Sequence, residues 1–179
     1  MHNKIYFDYN ATSPMLPQVK EAQLEVMGPP ANSSAIHHFG REAKKLLDSA
    51  RQKVAALVGA GKPYEIVFTA SGTESNNIAL KGLKDYKVIT SCIEHASVHN
   101  VVQEGLIPVD ENGVISLEAL RQLVANSKEK LLISVHYANN ETGVIQPLKE
   151  VVEIAREYGA LVHTDATQAF GKVEFDAQE

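Results

Sequence analysis

A single cysteine among 179 residues leaves no intramolecular disulfide to build on, so the expected setting is a reducing, cytoplasmic one. Long hydrophobic runs are missing as well. None approaches the roughly 20 residues that span a bilayer, and the first ten residues lack the basic-then-apolar order of a signal peptide. Basic residues are scarce relative to acidic ones, 17 against 22, giving a net charge of −5. That balance, without a basic stripe, argues against nucleic acid or an anionic membrane as a partner. Internal repeats, low-complexity segments and linkers are also absent. What is present is ordinary: 44 % hydrophobic and 22 % charged residues fit neither a disordered chain nor a charged tail. A chain of this length is expected to bury about 70 % of its unfolded surface in one domain-sized core.

Hydrophobic periodicity predicts a short strand at residues 5–7 and a helix over 19–27. A breaker-rich stretch with Pro29 and Pro30 separates these from a long helix over 36–58, where Phe39, Ala43, Leu46, Leu47, Ala50, Val54 and Leu57 recur at three- and four-residue steps. Short apolar runs then alternate with amphipathic segments. Strands are expected at 65–70, 87–90, 106–109, 130–135 and 160–163, and helices at 73–84, 95–104, 116–125 and 147–158. Single helices between short strands mean βαβ units and a mostly parallel sheet covered on both faces. In such sheets ligands collect at the carboxyl ends of the strands, where loops enter the following helices.

Four polar clusters fall at that edge. Ser71-Gly72-Thr73 opens a helix, leaving backbone N–H groups and a hydroxyl for an anion, without the lysine of a Walker loop; an ordinary N-cap is the competing reading. Asp165 ends the apolar run Ala160-Leu161-Val162-His163, where an ionised carboxylate calls for a cation or several donors; a structural Asp capping the next turn is the alternative. Gln168 follows three residues later and can donate and accept toward the same space. His95 opens a helix after a strand, from where an imidazole can lie on a ligand ring or move a proton, or simply cap the helix. Asn139-Asn140-Glu141 forms the fourth cluster, either turn chemistry or ligand contact. His95, His99 and His163 offer no metal-binding spacing, and no metal is expected. Cys92 reads as a small packing residue, and His37 and His38 as helix-entry residues. Together, an anion site, an imidazole, a carboxylate seeking a cation and an amide are the parts that hold a phosphorylated, protonated pyridine.

Six ordered motifs give the chain its resemblance to a known family. They are Tyr6-Phe7-Asp8-Tyr9-Asn10-Ala11-Thr12-Ser13-Pro14; Asn32 to His37 with Gly40; Phe68-Thr69-Ala70-Ser71-Gly72-Thr73-Glu74-Ser75-Asn76-Asn77; Glu94-His95; Asn139-Asn140-Glu141-Thr142-Gly143; and His163-Thr164-Asp165-Ala166-Thr167-Gln168. In these the chain resembles the cysteine desulfurases of the NifS/IscS type, class V aminotransferase-family enzymes that use pyridoxal 5′-phosphate. The resemblance implies an α/β fold, the large domain of the fold type I pyridoxal-phosphate transferases, truncated before its C-terminal part. Residues 1–60 would form an N-terminal arm and helices, and 61–179 the first part of the cofactor-binding domain, in one incomplete structural unit. It implies that Gly72 and Thr73 hold the cofactor phosphate and that His95 stacks on the ring and transfers protons. Asp165 would pair with the pyridinium nitrogen, and Gln168 and Asn140 would contact the phenolic-oxygen side.

The family converts L-cysteine to L-alanine and passes the sulfur, as an enzyme persulfide, toward iron–sulfur scaffolds or tRNA thiolation. The Schiff-base lysine of the family lies in a Ser-x-His-Lys motif beyond the Asp-x-x-Gln strand, and no such motif occurs up to Glu179. Lys172 matches a different family lysine, Cys92 does not match the nucleophile, and Ser33 stands where the family usually has proline. The expectation is therefore an amino-terminal portion, inactive alone, that binds cofactor non-covalently at most. A truncated relic or interaction module, and another class V enzyme such as a selenocysteine lyase, are the alternatives. Expected partners are a second copy, a complementing C-terminal fragment and sulfur-acceptor proteins, with apolar surface left exposed where they would sit.

Overall fold

The computed structural model describes residues 4–102, 104–174 and 177. By internal contacts the chain divides into two compact units, Met1–Val67 with Phe175–Glu179, and Phe68–Glu174.

In the first unit, α1 (Pro17–Val26) starts on a proline whose missing N–H costs nothing at a helix's first position. None of its residues is buried. The second helix, α2 (His38–Leu57), is capped by His37, whose Nδ1 accepts from Gly40 N–H at 3.3 Å, as a helix-entry residue should. Large apolar side chains remain in solvent here, including Phe7 at 89 % and Ile36 at 91 % exposure. Residues 5–7 form no strand, and 65–70 hold the end of a 3₁₀ turn (Pro63–Glu65) followed by irregular chain instead of the predicted strand. Both are short apolar runs, and such a run becomes a strand only where another offers its backbone groups in register.

The second unit carries the sheet. Its elements are α3 (Gly72–Gly82), β1 (Tyr86–Ser91), α4 (Ala96–His99), β2 (Leu106–Ile107), α5 (Leu117–Ala125), β3 (Lys130–Ser134), α6 (Leu148–Tyr158) and β4 (Leu161–His163). All pairings are parallel, in the order β2-β1-β3-β4, with Ile89 opposite Ile133 and Ser134 opposite His163. Alternation along the central strands sends side chains to two cores. Ile89, Leu131 and Ile133 join Leu120 and Val124 of α5 and Val151, Ile154 and Ala155 of α6. Leu132, with Val88 beside it, packs with Leu80 of α3 and with Val98 and Val102. The sheet is thus covered on both faces, as the unbroken apolar run of residues 131–133 requires. Each fully buried Leu, Ile or Val contributes about 1.5–3 kcal/mol of transfer free energy.

Helix ends follow local chemistry. Ser116 caps α5 by accepting from Ala119 N–H at 3.2 Å, and Gly159 ends α6 in the left-handed conformation at φ 66°. The helix predicted over 95–104 shrinks to the four residues of α4, and β2 keeps two of its four predicted residues. Because every strand runs the same way, the loops after β1, β3 and β4 emerge on one edge.

Candidate functional site

At that edge α3 begins with its first turn exposed. Ser71 Oγ accepts from Glu74 N–H at 3.2 Å, capping α3, while Glu74 Oε2 accepts from Ala70 N–H at 2.6 Å, one residue before the cap. The N-cap reading of Ser71 is therefore realised. It leaves the N–H groups of Gly72 and Thr73 with no acceptor among the described residues. A Cβ added to Gly72 would lie 3.6 Å from Thr167 Oγ1 and, its chain neighbours and own helix backbone aside, meet no other atom within 4 Å, so the helix start and the loop after β4 adjoin with open space beside them. Free donors at the positive end of a helix suit an anion.

Asp165 follows β4 and is partly buried. Its Oδ2 accepts from Asn76 Nδ2 at 2.8 Å and its Oδ1 from Thr167 N–H at 2.9 Å. Burial pushes this carboxyl up, but hydrogen bonds from the Thr167 side chain, Asn76 and the Thr167 backbone, with the influence of His163, hold it below the usual value of 3.8. Asp165 is thus an ionised carboxylate at neutral pH. Even with these donors, part of its accepting capacity is unused.

The loop after β1 separates two neighbours by burial. Glu94 turns inward and His95 outward. The Glu94 carboxylate accepts from Ser91 Oγ, from His136 N–H at 3.0 and 3.1 Å, and lies 3.1 Å from His136 Nδ1. It binds the end of β1 to the end of β3 and fixes the backbone from which His95 projects. His95 Nδ1 accepts from Ser97 N–H at 3.1 Å, capping α4. His99 is exposed, and no group of three metal-binding side chains occurs among the described residues.

Beyond β3, Asn139 and Asn140 differ in the same way. Asn139 is buried, donates to Ile93 carbonyl at 3.1 Å and accepts from the Glu141 and Thr142 N–H groups at 2.9 Å, the turn chemistry considered for this cluster. Gly143, at φ 75°, closes the turn. Asn140 is partly buried. Gln168 is partly buried and accepts from Lys172 Nζ at 2.6 Å. Cys92, expected to be a packing residue, is exposed instead: its backbone N–H bonds Ile107 carbonyl at 3.0 Å while its thiol faces water.

The structure therefore gathers Gly72, Thr73, Asp165 and His95 through α3, α4 and the loop after β4, with Asn140 and Gln168 on loops of the same edge. It adds residues that sequence reasoning passed over. Asn76 and Ser97 are buried between them, and Asn76 Nδ2 donates to Ser97 Oγ at 2.9 Å as well as to Asp165. A polar residue one turn before Leu80 on the buried face of α3 is the available signal for Asn76. An anion-ready helix start, an exposed imidazole and an ionised carboxylate suit an anionic group joined to a cationic ring. Two buried polar atoms near this edge, His136 Nε2 and Thr164 Oγ1, also lack partners among the described residues.

Residues 5–179 match the family model described as Aminotransferase class-V. The chain is 40 % identical over 194 residues to the cysteine desulfurase IscS of Dictyoglomus turgidum, covering 100 % of this chain and 48 % of that protein. Among solved structures, a NifS-like protein from Rickettsia africae superposes with a TM-score of 0.92 at 37 % identity, over 97 % of this chain and 51 % of its own. A structure described as SspA in complex with cysteine superposes with a TM-score of 0.88 at 35 % identity, over 97 % and 53 %. The chain spans about half the length of the relatives it matches.

Proposed function

The chain belongs to the class V aminotransferase family, and from that premise we propose that it is the amino-terminal portion of a pyridoxal-phosphate-dependent cysteine desulfurase. The observation that carries this reading is the ionised Asp165, held by Asn76 and Thr167 beside the unsatisfied start of α3. When bound, the cofactor supplies an electron sink for bond breaking at the substrate's α-carbon. In this reading Gly72 and Thr73 bind the phosphate through their free N–H groups. Asp165 faces the pyridine nitrogen and keeps it protonated, because a carboxylate stabilises a neighbouring cation. His95 lies against the ring and moves protons, while Asn140 and Gln168 bond the phenolic-oxygen side.

The whole protein would convert L-cysteine to L-alanine and carry the sulfur as a persulfide on one of its own cysteines, for iron–sulfur assembly or tRNA thiolation. The relative in complex with cysteine and the relatives named cysteine desulfurase favour this substrate. The exposed Phe7 and Ile36 fit a chain that associates with a second copy or with the remainder of the protein. The 179-residue chain by itself is expected to release no sulfide from cysteine, since it lacks the family's Ser-x-His-Lys motif.

Titrating pyridoxal 5′-phosphate into ¹⁵N-labelled chain tests the site. The Gly72, Thr73 and His95 signals should move, and Asp165→Asn should weaken binding by about tenfold or more, the equivalent of one charge-assisted hydrogen bond. Unmoved signals at all three residues, or unchanged affinity in D165N, would remove the cofactor from this edge.

A further inference from the structure

Ser97 sits in the first turn of α4, 8 % exposed, and joins the two ends of the site. Its N–H donates to His95 Nδ1 at 3.1 Å, and its hydroxyl oxygen lies 2.8 Å from the same nitrogen. Asn76 Nδ2 lies 2.9 Å from that hydroxyl and 2.8 Å from Asp165 Oδ2. Donor and acceptor roles can be assigned in order, starting at Asp165. An ionised carboxylate only accepts, so the NH₂ end of Asn76 must face it, and the second amide hydrogen goes to Ser97 Oγ. The Ser97 hydroxyl then has its own proton to give, and His95 Nδ1 is the nitrogen within reach. The Ser97 N–H already points there. A proton on Nδ1 would set two hydrogens face to face across the 3.1 Å contact and leave the serine proton without its acceptor.

We propose that Ser97 is a positioning residue that holds the His95 imidazole with Nδ1 as acceptor and its proton on Nε2. Nε2 is then the nitrogen left for a ligand, and it presents a donor. Asp165 sets the direction of the whole chain of bonds through Asn76, so the carboxylate and the imidazole are organised together. The significance of this tautomer for proton transfer rests on the reading above; the tautomer itself rests on the four residues alone.

The test is ¹⁵N NMR of the histidine-labelled 179-residue chain without cofactor, at about pH 8.5 where an ordinary imidazole is neutral. His95→Gln assigns the ring signals. The unmodified chain should show His95 mainly as the Nε2–H form. Ser97→Ala should lower the ratio of Nε2–H to Nδ1–H by about fivefold, the equilibrium worth of one net hydrogen bond. Ser97→Thr, which keeps the hydroxyl, should hold the ratio near that of the unmodified chain. Should S97A fail to fold, Ser97→Cys keeps the volume, offers only a weak S–H donor and should move the ratio the same way. A proton on Nδ1 in the unmodified chain, or a ratio unmoved by removal of the hydroxyl, overturns the proposal. Failure of pyridoxal phosphate to bind would overturn the functional reading and leave this measurement standing, so the two failures are distinguishable.

Discussion

Asn76 is 4 % exposed and spends both amide hydrogens inside the second unit, one on the Asp165 carboxylate at 2.8 Å and one on Ser97 Oγ at 2.9 Å. Asn76→Ala removes both. A hydrogen bond to a charged group contributes about 1.5–3 kcal/mol and a neutral one about 0.5–1.5 kcal/mol, so the chain should lose about 2–4.5 kcal/mol of stability. Asp165 also loses a donor that lowers its pKa, so its carboxyl should titrate at higher pH in the variant. Urea unfolding followed by far-ultraviolet circular dichroism measures the first effect, since the chain has no tryptophan to serve as a fluorescence probe. Carboxyl NMR measures the second. Asn77→Ala is the control: that amide donates to Thr73 carbonyl at 2.8 Å within its own helix and should cost no more than about 0.5 kcal/mol. If N76A matched N77A in stability, or left the Asp165 titration unmoved, the buried network would not hold this site together.

Two further outcomes follow from burial. Leu120→Ala should cost about 2–5 kcal/mol in the same urea assay, because Leu120 is fully buried in the core beneath α5 and α6, whereas Leu46→Ala, at a side chain 57 % exposed, should stay within about 0.5 kcal/mol. Equal costs would refute the assignment of that core. His163 is held below its ordinary value of 6.5, chiefly by burial, against the opposing charges of Asp165 and Glu94. The unfolded chain therefore binds more protons than the folded one between the folded value and 6.5. The neutral imidazole's contribution is complete above 6.5 and is lost as pH falls from there through the folded value. Urea midpoints measured across that window should fall with pH, and His163→Gln should flatten the decline; an unchanged slope would contradict the burial argument.

The central sheet was legible because its strands announce themselves locally. Val88-Ile89-Thr90 and Leu131-Leu132-Ile133 are apolar or β-branched and bounded by polar residues, and both form strands buried on both faces. Residues 65–70 have a similar composition and form none, since strand pairing is decided by distant partners that composition does not name. The ligand edge was legible from topology, because parallel strands must end together. The wiring of the site was not. Asn76 and Asn77 are chemically identical neighbours, and a rotation of about 100° per residue along α3 sends one to Asp165 and the other to its own helix backbone. Glu94 and His95 likewise read as one polar pair until the turn after β1 buries the first and exposes the second.

The bond between Asn76 and Asp165 spans 89 positions of sequence. All four sheet strands lie between its ends. Closing a loop of that length costs conformational entropy, which nearer contacts reduce by shortening the loop. The edge cannot assemble before β4 is in place, since Asp165 follows that strand. A ligand recognised jointly by the start of α3 and by Asp165 would therefore distinguish a chain with β4 in place from one without it. Its binding would serve as a folding probe whose signal arrives with β4.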